Sequence, residues 1–194
     1  SFLFPGVGYG GSCFPKDVRA LVKTAQQHDV KLEIIQAVDR VNTAQKQRLA
    51  QKVSAFFGGA AKLKGKRFAL WGLAFKPKTD DMREAPSLSV IRDLTAAGAE
   101  VVAYDPEAMP VAKRMFKSQE ANVRFAESSY DALTDADALI IVTEWNEFRR
   151  PNFGKISQML KAPVIFDGRN LFEPAKMNRL GFKYFAIGRP PVGV

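Results

Sequence analysis

Apolar residues follow two rhythms along this chain, and the rhythm changes near residue 60. Before that point Val18, Leu21, Val22 and Ala25 recur at helical spacing and predict a helix over 16–28. A longer stripe follows. Ile34, Ile35, Val38, Val41, Leu49, Val53, Phe56 and Phe57 keep a 3.6-residue period, with no Pro or Gly from 31 to 57, and Gly58-Gly59 stands ready to end the helix. About 26 residues at roughly 1.5 Å each make a rod of roughly 40 Å, long for a small α/β domain. Such a helix either bridges two domains or pairs with a second copy. Asn42 and Gln45, on or near its apolar face, leave that choice open.

From Lys66 onward, short apolar runs alternate with helical patterns. The predicted strands are 67–73, 100–104, 123–125, 138–143, 164–166 and 182–186. The predicted helices are 87–97, 110–117, 130–133, 153–161 and 173–180. Strand–helix alternation implies right-handed crossovers and a parallel sheet covered on both faces. The expected fold is therefore α/β. A Rossmann-like doubly wound sheet occupies 61–194, preceded over 1–60 by a helical segment with one long central helix. In such sheets ligands sit beyond the carboxyl ends of the strands, where strand order switches.

Composition narrows the class. The net charge is +9 and the pI near 9.7, which suggests an anionic partner. The basic residues form no block and fit no nucleic-acid module, so nucleic acid is the weaker reading. Nothing reads as a membrane span or a signal peptide. A single cysteine excludes an internal disulfide and fits a reducing, cytoplasmic setting.

That cysteine sits in the most unusual stretch of the chain. Four glycines fall in the eight residues before Cys13, and Pro15, Lys16 and Asp17 follow it at a helix start. Glycine lets backbone approach a ligand closely, and a helix N-terminus with a nearby cation is the setting of a reactive thiol. A buried, inert cysteine in a loop would explain the residue alone but not the combination. His28, the only histidine, reads as a solvated helix end. After the first predicted strand, residues 73–84 form a long connection bearing Lys76, Lys78 and Arg83, where cations meet a helix N-terminus. It is not a Walker A loop. Asp80, Asp81 and Glu84 read as loop carboxylates rather than metal ligands. Asp167-Gly168-Arg169 follows the fifth strand at the same edge and offers a planar guanidinium fork. Asp105, where a Rossmann acid would read a ribose, carries little weight. Thr143-Glu144-Trp145 either shapes the pocket or only packs.

Three of these segments resemble, in order, motifs of the UDP-glucose/GDP-mannose dehydrogenase family. They are Gly8-Tyr9-Gly10-Gly11-Ser12-Cys13-Phe14-Pro15-Lys16-Asp17, the run from Gly72 through Phe75-Lys76 to Arg83-Glu84, and Phe166-Asp167-Gly168-Arg169-Asn170. The resemblance implies NAD-dependent, two-step oxidation of UDP-glucose to UDP-glucuronate, with another nucleotide sugar such as GDP-mannose as the alternative. It implies Cys13 as nucleophile and Asp17 as the group that helps activate water. Lys16 and Arg83 would face NAD. Phe4, Gly8, Tyr9, Gly10, Gly11, Phe75, Lys76 and Arg169 would hold the nucleotide sugar. It further implies an NAD-binding domain ahead of this segment and a homodimer built on the helix at 31–57. The chain opens inside a loop without a Met and lacks a dinucleotide fingerprint. It is thus expected to be the C-terminal portion of such an enzyme, inactive by itself as a dehydrogenase and acting alone only as a nucleotide-sugar-binding module.

Overall fold

A computed structural model describes residues 4–116 and 122–194. Two helices come first, α1 (Phe14–Gln27) and α2 (Glu33–Phe56). Then strands and helices alternate: β1 (Arg67–Trp71), α3 (Pro86–Ala96), β2 (Glu100–Tyr104), α4 (Met109–Met115), β3 (Val123–Phe125), β4 (Ala138–Ile141), α5 (Phe153–Met159), β5 (Val164–Asp167), α6 (Pro174–Arg179) and β6 (Lys183–Ala186). Short 3₁₀ turns lie at Ala60–Leu63, Asp131–Leu133 and Asn146–Phe148.

The six strands form one sheet in the order β3-β2-β1-β4-β5-β6, and every pairing is parallel. This is the doubly wound, Rossmann-like arrangement, with the switch in strand order between β1 and β4. The central strands read as continuous apolar runs because both faces are covered. Phe68, Ala69, Leu70 and Leu139, Ile140, Ile141 are fully buried.

The long helix is present and slightly shorter than its apolar stripe suggested. Its stripe has two environments. Leu49, Ala50 and Val53 belong to the same buried cluster as the sheet. Phe56 meets Phe166 and Phe185 edge-on, and Phe57 meets Phe68. Nearer its start, Ile34 and Val41 are 79% and 66% exposed.

Several predicted boundaries shift for physical reasons. The run at 67–73 leaves the sheet after Trp71 because Gly72 turns the chain at φ 94°, against Thr143, where a side chain would collide. The run at 138–143 likewise ends at Ile141. The predicted helix at 130–133 is only a 3₁₀ turn. α1 begins at Phe14, two residues early, with Cys13 as its N-cap and Pro15 in its first turn. Lys117, the end of the predicted helix at 110–117, lies outside the described residues.

Candidate functional site

The carboxyl edge of the sheet is tied together by two buried aspartates. Asp105, just past β2, is fully buried and accepts five hydrogen bonds, from the Leu73, Ala74, Glu107 and Ala108 amides and from Trp145 Nε1. It holds the start of the loop after β1 and has no free face for a ribose. Asp167, at the end of β5, accepts from the Arg169, Leu171 and Phe172 amides and from the Tyr184 hydroxyl at 2.7 Å. Burial pushes its carboxyl above the ordinary range, against those donors. The two acids fix the loops from which ligand-facing groups project. Thr143 Oγ1 and Ser87 Oγ add bonds, each 2.6 Å, to the Ala74 and Leu73 carbonyls.

The glycine-rich N-terminal loop lies over this edge. Val7 is buried in the main core, directly against Gly168. α2 grips the loop with the two polar residues that interrupt its apolar face. Asn42 Oδ1 accepts from the Tyr9 N–H at 2.8 Å, and Asn42 Nδ2 donates to the Tyr9 carbonyl at 3.1 Å. Gln45 Nε2 donates to the Gly6 carbonyl at 2.6 Å. Backbone in a loop needs such partners when it is buried.

Between this loop and the β4 and β5 ends opens a cleft of about 540 Å³, walled by Phe4, Tyr9, Gln45, Glu144, Arg149 and Arg169, with Pro5, Gly6, Gly8 and Asn170 completing it. Two guanidiniums and one carboxylate leave it net positive. Arg169 Nε donates to Glu144 Oε2, an orientation that ties down one edge of the guanidinium fork. The Tyr9 hydroxyl is buried without a hydrogen-bond partner among the described residues. Burial raises its pKa, helped by Asp39.

The cysteine loop and the loop after β1 also dock on one another. Gly11 donates its N–H to the Arg83 carbonyl at 2.8 Å. At φ 94° it lies against the Phe75 ring, so an added Cβ would sit 2.9 Å from Phe75 Cε2. Gly10 is pressed onto the Glu84 carbonyl. Lys76 Nζ lies 5.1 Å from the centre of the Phe75 ring. Arg83 makes a bidentate pair with Asp81, at 2.9 and 2.8 Å, and this pair holds the Asp81 carboxyl below its ordinary range.

The structure thus brings Phe4, Gly8, Tyr9 and Arg169 to one cleft. It places Gly10, Gly11, Phe75 and Lys76 at the junction of the two loops. Cys13 is exposed at the head of α1, with Ser12 Oγ 3.6 Å from its Sγ. Lys16 and Asp17 are exposed beside it and 3.5 Å apart. None of these three lines the cleft. Arg149, Asn170 and Gln45 do; the sequence gave no signal at Arg149, named Asn170 only as the end of the Asp167-Gly168-Arg169 segment, and showed Gln45 only as a polar interruption.

Comparison with known proteins adds to this geometry. Residues 69–174 match the UDP-glucose/GDP-mannose dehydrogenase family, UDP binding domain, and residues 1–44 match the same family's central domain. A UDP-glucose 6-dehydrogenase of Pseudomonas aeruginosa is 46% identical over 194 residues, covering 99% of this chain and 42% of its own length. One from Bacillus subtilis is 41% identical over 191 residues, covering 98% of this chain and 40% of its own. Among solved structures, a UDP-glucose dehydrogenase from Pyrobaculum islandicum superposes with a TM-score of 0.77 at 32% identity, over 94% of this chain and 38% of that one. An NDP-N-acetyl-D-galactosaminuronic acid dehydrogenase from Methanosarcina mazei gives 0.79 at 26% identity, over 98% and 40%. The chain spans about two-fifths of the length of the curated relatives it matches.

Proposed function

The chain belongs to the UDP-glucose/GDP-mannose dehydrogenase family, and on that premise we propose that it forms the nucleotide-sugar-holding part of an NAD-dependent enzyme that oxidises UDP-glucose to UDP-glucuronate. The observation that carries the reading is the cationic cleft walled by Tyr9 and Arg169, on the same loop that leads to Cys13. A diphosphate suits two guanidiniums, and the buried, unpartnered Tyr9 hydroxyl suits a polar ligand atom.

In this reading residues 61–194 hold the nucleotide, and residues 1–60 carry the nucleophile and the central helix. Cys13 Sγ bonds to C6 of the sugar at the aldehyde level, giving a thiohemiacetal, and retains that carbon as a thioester after the second oxidation. Asp17, one helical turn from Cys13, accepts a proton from the water that attacks the thioester; the uronate leaves and the thiol is restored. NAD⁺, when bound, is the electron acceptor for both oxidations. What this chain lends to it is two exposed cations, Lys16 and Arg83. The acid after β2 is spent on five protein donors, which supports placing the NAD-binding fold in a separate, preceding domain. Phe75, Lys76 and the Gly10-Gly11 backbone border the sugar side.

The partners follow from the same reading. The exposed Ile34, Val38 and Val41 recur on one face of α2 and support pairing with a second copy. No helix among the described residues is long and apolar enough to cross a membrane, and a cytoplasmic enzyme is consistent with that.

Calorimetric titration of the chain with UDP, UDP-glucose, GDP and NAD⁺ tests the reading. UDP and UDP-glucose are expected to bind, GDP more weakly, and NAD⁺ weakly or not at all. Preference for GDP moves the substrate to another nucleotide sugar. NADH produced from UDP-glucose by this chain alone rules out the need for a preceding domain.

A further inference from the structure

Glu84 stands where three parts of the molecule meet. Its Oε1 accepts from Arg19 Nη1 of α1 at 3.0 Å, and its Oε2 from Lys46 Nζ of α2 at 3.1 Å. Its backbone closes on the cysteine loop through the contact with Gly10, and the adjoining Arg83 carbonyl holds the Gly11 N–H. Arg19 also lies 3.6 Å from Asp39 of α2. Two features show that the arrangement is imposed by its surroundings. The Lys46 side chain is only 10% exposed, and a buried ammonium without a counter-charge is costly. Glu84 holds φ at 54°, a conformation that a non-glycine residue keeps only where its neighbours over-determine it. Glu84 itself stays 40% exposed, so filling the core does not explain it.

We propose that Glu84 is a positioning residue: through Arg19 and Lys46 it fixes the loop bearing Cys13 against the loop bearing Phe75 and Lys76, and so sets the line along which the thiol meets the sugar. The geometry stands without the dehydrogenase reading; the catalytic consequence rests on it. A nucleophile that must bond to one carbon across two oxidations has to stay aligned, and a shift of about 1 Å is enough to slow such a step by about a hundredfold.

Glu84→Gln retains size and backbone strain and removes only the charge. Hydrogen exchange on this chain then reads the clamp directly. At the Gly11 amide, exchange should quicken at least about tenfold, while the β4 amides of Leu139 and Ile141 stay unchanged. In the full-length enzyme, kcat for UDP-glucose should fall about tenfold with KM changed less than about twofold, the signature of lost alignment rather than lost binding. Lys46→Met added to Glu84→Gln should cost little more, since the two act as one unit. Unchanged exchange at Gly11, or an equal rise in β4, removes the clamp. Selective opening at Gly11 with an unaltered kcat removes its catalytic role. A wild-type enzyme that does not oxidise UDP-glucose, with Gly11 still opening selectively, refutes the dehydrogenase reading and leaves the clamp intact.

Discussion

The side-chain amide of Asn42 satisfies both backbone polar groups of Tyr9, accepting its N–H at 2.8 Å and donating to its carbonyl at 3.1 Å. Asn42 is 7% exposed, so the pair is sheltered from competing water. Asn42→Leu keeps the volume and strands two part-buried backbone groups, at a cost of about 1–3 kcal/mol. The melting temperature of the chain should drop by roughly 4–8 °C for a loss of about 2 kcal/mol. A scan with an unchanged midpoint would show that the loop is held without this bond.

The same residue shows how far the sequence can be read. The period of α2 was plain, and Asn42 and Gln45 were visible as interruptions, yet their purpose was not. Their partners are backbone atoms some thirty-five residues earlier in the chain, and backbone leaves no mark in a residue pattern. All six strands and their parallel, doubly wound arrangement followed from alternation, because the sheet is buried on both faces; which strands lie side by side came only from the structure. Glu84 does lie in a loop, as the sequence suggests, but its bonds to Arg19 and Lys46 were not legible, because those residues stand on two helices whose relative placement no local pattern encodes. Arg149 was missed because an exposed arginine beside a short 3₁₀ turn carries no period.

Gly168 reports on the seating of the N-terminal loop. A Cβ there would overlap Val7 Cγ1 and sit 2.7 Å from the Ile141 carbonyl, which also accepts the Gly168 N–H. The strand backbone cannot yield, so Val7 must. Gly168→Ala should destabilise the chain by about 1–3 kcal/mol and weaken UDP binding, because Val7 and the cleft wall are on one loop. Denaturation and UDP titration of the same variant check both; loss of stability with intact UDP affinity would separate the loop from the cleft.

Glu84 should also appear in the acid limb of the stability profile. The Arg19 bond, opposed by partial burial and helped by Lys46, lowers its carboxyl from 4.5 to about 2. A carboxylate depressed in the folded state stabilises fully above its unfolded value and loses that contribution as pH falls through the folded one. The advantage of wild type over Glu84→Gln should therefore be constant at neutral pH, shrink below about 4.5 and vanish near about 2. Partial exposure makes the effect modest. Thermal scans of both proteins across that range measure it, and a difference that persists unchanged at the acid end contradicts the ion pair.

Arg169 and Lys76 offer the ligand different things. Arg169 is half-buried, with its Nε tied to Glu144, while Lys76 rides over the Phe75 ring. A charge-assisted bond in such a place contributes about 1.5–3 kcal/mol. Arg169→Ala and Lys76→Ala should each weaken UDP-glucose use by roughly ten- to a hundredfold in the full-length enzyme. UDP titration of this chain should register Arg169→Ala at least as strongly as Lys76→Ala, since only Arg169 walls the cleft. Full affinity in the Arg169 variant would shift the nucleotide away from the cleft.

Cys13 is exposed at the N-cap of α1 and is the only cysteine of the chain, so its chemistry can be read without interference. Iodoacetamide should add one group to the protein, and UDP-glucose bound at the neighbouring cleft should slow that addition. The proposed reaction gives its substitutions distinct outcomes. Without a nucleophile at this position, Cys13→Ala in the full-length enzyme should form no covalent sugar adduct and release aldehyde at most. Serine reaches the same carbon but is a weaker nucleophile at neutral pH, and its ester hydrolyses less readily than a thioester. Cys13→Ser should lose steady turnover and accumulate a sugar ester visible as added mass. UDP-glucuronate produced by Cys13→Ala at near the wild-type rate would end the nucleophile assignment.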